Sequence, residues 1–175
     1  KFIDSLVMVV AVIGIAVPSF VLASLLQYTF GLKLGLFPIT GTKTLLGYVL
    51  PVMALSAGPI AYIARLTRSS MLEVLNADYI KTAKAKGLKW PAILWKHVIR
   101  NGILPVVSYV GPMTANVVTG SVVVERIFGI GGIGKVFVDS ITNRDYTLIM
   151  GITLFYGIIL MAARFITDIV YVLVD

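Results

Sequence analysis

The sequence predicts an all-α fold, a polytopic membrane helix bundle forming one domain over residues 1–175. Its residues are 58% hydrophobic and only 13% charged, whereas soluble domains carry about 25% charged residues. Four apolar runs are long enough to cross a hydrocarbon core, which takes about 20 helical residues. We therefore expect four transmembrane helices, over residues 5–30, 45–66, 102–124 and 146–172.

Glycine and proline interrupt these apolar runs. Membrane bundles tolerate such residues where neighbouring helices satisfy the freed backbone groups, and small residues let helices approach closely. The first run, about 26 residues long, exceeds the roughly 7–15 apolar residues of a secretory signal, so we expect it to remain in the membrane. The interrupting residues are Gly14, Pro18, Pro51, Gly58, Pro59, Pro105, Gly111, Pro112 and Gly120.

The distribution of lysine and arginine predicts the orientation. The segment from Arg65 to Arg100 holds eight of the fifteen basic residues. With Lys1 and Arg164 on the same side, ten basic residues face five on the other side. Because basic residues concentrate on the cytoplasmic side, both ends of the chain should be cytoplasmic. Residues 67–101 then form a cytoplasmic loop, and residues 125–145 form an extracytoplasmic loop.

The stretch GIGGIGKV, residues 129–136, matches two patterns of nucleotide-binding loops, G-x-x-x-x-G-K and G-x-G-x-x-G. A Walker loop needs a preceding strand and a Ser or Thr after the lysine, but Val136 follows Lys135. The dinucleotide pattern needs a βαβ unit, whereas membrane spans flank this loop. The sequence therefore predicts a flexible glycine turn and not a nucleotide site.

The remainder of this outer loop has two predicted features. The stretch KVFVDSITNRDY is amphipathic enough for a short helix on the outer face, where it would close an external gate or dock a partner. Glu125 and Arg126 begin the loop and are candidates for the same gate or docking role. An exposed interfacial ion pair that stabilises little is the alternative for these two residues.

The cytoplasmic loop contains NADYIKTAKAKGLKWPAILWKHVIRNGILP. Asn76 or Asp78 can cap the start of a short helix, and Gly87 is suited to its C-terminal cap. Pro91 suits the first turn of a second helix. The lysines leave a narrow apolar strip on the first helix, which can fit a groove in a cytoplasmic partner or lie on anionic lipid. That strip consists of Tyr79, Ile80, Ala83 and Gly87.

Two long stretches resemble a known family. DYIKTAKAKGLKWPAILWKHVIRNGILPVVSYVGP resembles the coupling segment of ABC-transporter permease subunits in the dipeptide/oligopeptide/nickel import branch. VVVERIFGIGGIGKVFVDSITNRDYTLIMG is similar to the B-type subunit of that branch. Importer permeases in general carry E-A-A-x-x-x-G, but here Lys81, Thr82 and Ala83 precede Gly87. The peptide branch is similar in this departure.

The resemblance implies a pore subunit of typically six spans, of which the four here correspond to the last four, so the chain would be partial. It implies no enzymatic activity and no cofactor bound by this chain, because ATP and Mg would be used by two cytoplasmic ATPase subunits. A second permease subunit, homologous or identical, and an extracytoplasmic substrate-binding protein would complete the transporter in a bacterial or archaeal cell (inner) membrane. The implied ATPase-coupling residues are Tyr79, Ile80, Thr82, Ala83, Lys86, Gly87 and Leu88.

Mild polar groups are the candidates for lining a pore. None of the four runs carries a carboxylate or lysine near its middle, which argues against an ion-coupled secondary transporter. The main candidates are Ser108, Asn116 and Thr119, although hydrogen bonding between helices is the alternative for each. Weaker candidates are Gln27, Tyr28, Tyr109 and Ser121.

The expected function is import of di- or oligopeptides, with lipid and protein partners and no nucleic acid. Nickel or another small solute is the alternative within the same branch. From a different class, the chain could be a secondary transporter or a membrane scaffold whose basic loop contacts only lipid.

Overall fold

The computed structural model describes residues 2–118 and 120–174. Within these ranges the chain forms ten α-helices, two π-helical turns and one 3-10 turn, which confirms the all-α expectation. The π-helical turns are Gln27–Lys33 and Leu94–Ile99, and the 3-10 turn is Leu45–Tyr48. The α-helices are α1 (Phe2–Ala16), α2 (Ser19–Leu26), α3 (Val49–Asn76), α4 (Asp78–Ala85), α5 (Trp90–Ile93), α6 (Arg100–Gly102), α7 (Leu104–Val118), α8 (Val122–Phe128), α9 (Ile133–Thr142) and α10 (Tyr146–Val174).

Two helical stretches, Leu45–Asn76 and Tyr146–Leu173, are each long and apolar enough to cross a membrane unbroken. The first is longer than expected, since the apolar run ends near residue 66. Residues 67–76 contain neither glycine nor proline, so nothing in the backbone stops the helix there. These residues therefore continue α3 as a helix beyond the predicted span.

The first predicted span is not one straight helix. α1 and the stretch Ser19–Lys33 meet at an angle of 102°. Pro18 causes the break, because its ring disfavours helical geometry at Val17, and Pro18 itself takes the extended values φ −58° and ψ 140°. As a result α2 packs on the first turns of α3, where Ala23 joins Leu50 and Ala54, and α1 packs further along, where Gly14 approaches Ala61.

The third predicted span is also bent, by 46° between α7 and α8. Gly120 lies between these helices with φ +78°, a left-handed conformation that favours glycine. If each bent pair is one span, the described residues contain four candidate spans, as the sequence predicts. If not, they contain two.

Small residues allow two close helix contacts. A methyl group on Gly14 of α1 would lie 3.0 Å from the Cβ of Ala61 in α3. A methyl group on Gly111 of α7 would overlap the Thr167 side chain of α10. Most of the large apolar side chains of α10 are exposed, which is the arrangement expected for a helix that faces lipid or further subunits.

Two clusters of buried side chains form at opposite ends of α3. One contains Leu50 and Ala54 from its first turns with Val124 and Phe128 of α8. The other contains Ile80, Ala83, Ile93 and Val98, packed against Met71, Val74 and Leu75 from its last turns. At 1.5 Å per residue, Leu50 and Val74 lie about 36 Å apart along the axis, more than the roughly 30 Å of a hydrocarbon core. The two clusters can therefore lie on opposite sides of a membrane.

Candidate functional site

The basic segment, residues 78–102, folds against the last turns of α3. Its first helix, α4, ends in a Schellman motif: the Leu88 N–H donates to the Ala83 carbonyl at 3.3 Å, and the Gly87 N–H donates to that of Lys84 at 2.9 Å. Gly87 takes φ +78° at the position where this motif requires a left-handed residue. The C-terminal cap predicted at Gly87 is therefore confirmed.

The start of α4 differs from the expectation. Ala77 occupies the N-cap position and makes no side-chain capping bond. Asn76 is the last residue of α3, and its amide donates to the Leu72 carbonyl. Asp78 lies in the first turn of α4 and pairs with Lys81 at 2.8 Å. The predicted cap at Asn76 or Asp78 is wrong because the extension of α3 leaves a single linking residue.

The apolar strip predicted on α4 divides into two parts. Ile80 is 0% exposed and Ala83 is 7% exposed, because both pack into the protein's own core beside Ile93 and Val98. In this structure both side chains face the protein's own core, and their role in coupling to an ATPase stays a prediction. Periodicity shows that a helix face is apolar, but not what covers it.

The remaining predicted coupling residues lie on the surface. Leu88 is 44% exposed, and the Tyr79 hydroxyl, although exposed, accepts a hydrogen bond from the Asn101 amide at 3.3 Å. The Lys84 ammonium lies 5.4 Å from the centre of the Trp90 ring. This face therefore combines apolar, aromatic and cationic groups. Thr82, Lys86, Gly87 and Trp95 are exposed with them.

The second helix of the basic segment begins at α5, with Pro91 in the first turn as predicted. The chain then widens into the π-helical turn Leu94–Ile99 before α6. Ile93 and Val98 are each 1% exposed and lie five residues apart, which is the spacing of a π-helical turn. Through α6 the segment joins α7, so the basic segment is attached to both α3 and α7.

A cleft of about 280 Å³ lies between α3 and α7. Pro59 in α3 and Pro112 in α7 line it, and because proline has no N–H, the carbonyls of Leu55 and Ser108 lose their usual helical donors. Leu55 and Tyr109 also line the cleft, and the centre of the Tyr109 ring lies 4.3 Å from the centre of the Tyr62 ring in α3. The other lining residues are Met113, Asn116, Val117, Gly120 and Ser121.

The pore candidates have different surroundings. Asn116 lines the cleft, and its side-chain oxygen also accepts a hydrogen bond from the Tyr156 hydroxyl of α10 at 3.1 Å. The Ser108 hydroxyl donates to the Leu104 carbonyl one turn earlier in α7. Thr119 lies outside the described residues. Asn116 therefore joins two helices and faces the cleft, and its role in a pore stays a prediction.

The glycine hairpin, residues 122–142, packs at the other end of α3. It consists of α8, a turn that includes Gly129 with φ +64°, and α9. The predicted short helix thus exists, as α9. A helix and not a strand precedes the glycines, so the fold differs from that of a nucleotide-binding loop.

The two candidate gate residues in the hairpin are held by partners within the chain. Glu125 is only 7% exposed, and its carboxylate accepts a hydrogen bond from the Lys135 N–H at 2.7 Å. Arg126 is exposed and lies 3.4 Å from the Asp139 carboxylate of α9. Glu125 is therefore not part of an exposed ion pair, because the glycines of the hairpin enclose its side chain.

A family model described as "Binding-protein-dependent transport system inner membrane component" matches residues 1–175, the whole chain. The chain belongs to this family. It is 51% identical over 174 residues to the dipeptide transport system permease protein DppB of Bacillus subtilis (strain 168), a match that covers 99% of this chain and 56% of that protein. To the oligopeptide transport system permease protein OppB of Salmonella typhimurium (strain LT2) it is 42% identical, over 98% of this chain and 57% of that protein.

Membership of this transport family confirms the resemblance seen in the sequence. The protein is a membrane component of a transport system, and its relatives are transport permeases. The chain spans a little over half the length of the curated relatives it matches.

Gln27 has a role in this permease-family chain that the sequence did not reveal. Its amide group donates to the Ile39 carbonyl and to the Ile127 carbonyl, each at 2.8 Å. The residue therefore joins three separate segments: the first π-helical turn, the loop that follows it, and α8. The sequence predicted Gln27 only as a weaker candidate for lining a pore.

We expect Gln27→Glu to weaken the attachment of the glycine hairpin. The glutamate has the same shape but no amide donor, so the Ile39 and Ile127 carbonyls would lose their partner. One of these hydrogen bonds is exposed and the other is partly buried, so each contributes about 0.5–1.5 kcal/mol to stability. Thermal unfolding of the purified protein should show a lower midpoint for this variant than for the wild-type protein. Equal midpoints would contradict this role for Gln27.

Proposed function

We propose that this chain is the membrane-spanning subunit of an ATP-driven importer for di- or oligopeptides and forms half of its pore. The observation that carries the proposal is the two-ended arrangement of α3, with the basic segment on its last turns and the glycine hairpin on its first. Family membership supports the importer class. The names of its relatives support peptides as cargo.

The attachment of the basic segment suggests how motion reaches the pore. Ile80 and Ala83 anchor α4 to the last turns of α3, while α5 and α6 lead directly into α7. These two helices are the walls of the cleft. When an ATPase subunit moves the exposed face of the basic segment, both walls move with it. Residues that face inward therefore transmit the motion, and residues that face outward receive it.

The chemistry of the cleft favours a peptide over a metal ion. Its described lining residues offer hydroxyl, amide and apolar groups, together with carbonyls freed by proline. These groups can hydrogen-bond to a peptide backbone without holding it tightly. Nickel prefers imidazole and other stronger ligands. Import of nickel or another small solute remains the second candidate within the family.

The remaining parts of the proposal concern the partners and the membrane. The basic segment would face the cytoplasm of a bacterial or archaeal cell, with both ends of this chain on that side, because basic residues concentrate there. Two ATPase subunits would bind ATP and Mg, and this chain would bind no cofactor. A second permease subunit would complete the pore, and a substrate-binding protein would dock near the glycine hairpin.

The test is to express the full-length protein with its partner subunits and to compare two variants, each of which replaces an exposed aliphatic residue with aspartate. Leu88→Asp places a charge on the exposed face of the basic segment, and Ile141→Asp places one on a comparably exposed site of α9, at 44% and 51% exposure respectively. We expect only Leu88→Asp to reduce the ATPase that co-purifies. If neither variant, or both alike, lost ATPase, the proposed coupling surface would be wrong. A chain that transports without an ATPase would instead support a secondary transporter.

Gly87→Ala tests the cap of α4 separately from contact with a partner. No atom lies within 4 Å of a Cβ at this position, so only the left-handed backbone conformation opposes a side chain. Alanine should cost about 1–2 kcal/mol there, and asparagine less, because asparagine adopts this conformation more readily. We expect peptide uptake to fall in the order Gly, Asn, Ala. Equal loss with both variants would indicate that a partner fills the space above Gly87.

A further inference from the structure

The buried carboxylate of Glu125 lies at the start of α9. Lys135, whose N–H it accepts at 2.7 Å, is in the first turn of that helix, where backbone N–H groups have no partner within the helix. The N-cap residue of α9 is Gly132, which has no side chain to supply a capping bond. Glu125 supplies that bond from α8 instead. An anionic group at this end of a helix is also stabilised by the helix dipole.

Three glycines leave room for this carboxylate. A methyl group on Gly120 or Gly132 would overlap the Glu125 carboxylate, and one on Gly134 would lie 3.1 Å from its Oε2. Gly131, in the same stretch, has no atom within 4 Å of a Cβ. The motif that suggested a phosphate cradle therefore encloses an anion that belongs to the protein itself.

The carboxylate lies beside two cavities. Gly120 lines the cleft between α3 and α7 and also a second cavity of about 370 Å³ bordered by α9 and α10. Gly120 is also the left-handed residue between α7 and α8. The Glu125 hydrogen bond that holds α9 to α8 therefore lies close to the bend at Gly120, and Gly120 also lines the cleft.

We propose that the Glu125 carboxylate is a latch that joins α8 and α9 into one rigid hairpin, which turns at Gly120 and controls access to the α3–α7 cleft. The Arg126–Asp139 pair, at 3.4 Å and about half exposed, is a weaker second contact between the same helices. The control of access rests on the proposed transport function, whereas the latch itself does not. The two parts can therefore be tested separately.

The latch is tested by the rate at which a cysteine on α9 is modified. The 175-residue sequence contains no cysteine, so a single introduced cysteine can be followed by mass spectrometry of its peptide. Ser140→Cys reports separation of α9, because Ser140 is 2% exposed, and Val136→Cys, at 43% exposure, controls for intrinsic reactivity. In the full-length transporter in liposomes, Glu125→Ala should raise maleimide labelling of Cys at position 140 about tenfold or more. Glu125→Gln, which keeps an acceptor oxygen without the charge, should have an intermediate effect.

Glycine substitutions give an independent test that leaves Glu125 in place. Gly132→Ala should raise labelling at position 140 as Glu125→Ala does, because the added methyl group displaces the carboxylate. Gly131→Ala is the matched control and should leave labelling unchanged. In the Glu125→Ala background, Gly132→Ala should add nothing further. Unchanged labelling in all the Glu125 and Gly132 variants, or equal effects of Gly131→Ala and Gly132→Ala, would overturn the latch.

The control of access is tested by ATP-dependent peptide uptake in the same liposomes. We expect uptake to fall in Glu125→Ala while the amount of co-purified ATPase stays unchanged, because the basic segment lies at the far end of α3. Faster labelling with normal uptake would confirm the latch and overturn its gating role. Absence of uptake in the wild-type transporter would count against the proposed function, while the labelling result would still decide the latch.

Discussion

Replacing Ile80 with alanine is expected to lower the free energy of unfolding by about 2–5 kcal/mol, the range for truncating a fully buried isoleucine. Ile80 is 0% exposed and belongs to the buried cluster with Ala83, Ile93 and Val98. Its loss would leave a cavity between α4 and the last turns of α3. The basic segment would then separate from α3 more often and transmit less motion to the cleft.

Trypsin cleavage measures this separation directly, because the exposed residues Lys84, Lys86 and Lys89 lie in the basic segment. Cleavage there should be much faster in Ile80→Ala than in the wild-type protein, and peptide uptake should fall. The matched control is Leu88→Ala, a similar truncation at a 44% exposed site. It should leave the cleavage rate close to that of wild type. Similar rates for the two variants would show that Ile80 does not anchor α4.

Replacing Gly111 with valine should destabilise the contact between α7 and α10 by about 1–3 kcal/mol, the usual cost of overpacking. A Cβ at this position would overlap the Thr167 side chain and would also lie 3.2 Å from the Ala163 carbonyl oxygen, a backbone atom that cannot move aside easily. The helices must therefore separate. Because α7 is one wall of the cleft, we expect a lower unfolding midpoint and also reduced uptake.

Gly157→Ala is the control for this prediction. Gly157 lies in α10 and has no atom within 4 Å of a Cβ, so alanine should leave the midpoint unchanged or raise it through better helix propensity. Adding Thr167→Ala to Gly111→Val should partly restore the unfolding midpoint, because it removes the side-chain atoms that the valine overlaps. The restoration is partial because the Ala163 carbonyl remains. An unfolding midpoint for Gly111→Val equal to that of Gly157→Ala would contradict a close approach at Gly111.

Much of the architecture could be predicted from local pattern. The helices at Tyr146–Val174 and Ile133–Thr142, the first-turn position of Pro91 and the cap at Gly87 follow from hydrophobic length, amphipathicity and residue geometry. Each depends on residues close together in the chain. The 102° bend after α1 was harder to predict, because a proline in an apolar run can produce a kink or a complete change of direction. Here the chain changes direction completely, and α1 and α2 pack on different parts of α3.

The candidate sites were predicted less well, for a related reason. An apolar strip on α4 indicates that something covers it, but Ile80 and Ala83 turned out to pack on α3 of the same chain. A glutamate beside a glycine-rich loop resembles an exposed charge, but Glu125 is enclosed by that loop. Both outcomes depend on contacts between segments that the chain order does not place together.

Composition and two motif stretches were enough to predict a helical membrane component of a transport family. The length of an apolar run and its charge determine whether it partitions into lipid or water, so membrane spans can be predicted without knowing any contact between residues. The direction of the α4 strip, the role of Gln27 and the anion enclosed by GIGGIGKV depended on three-dimensional packing. A side chain's burial and hydrogen-bond partners are set by whichever distant segment reaches it, and that is a property of the folded chain alone.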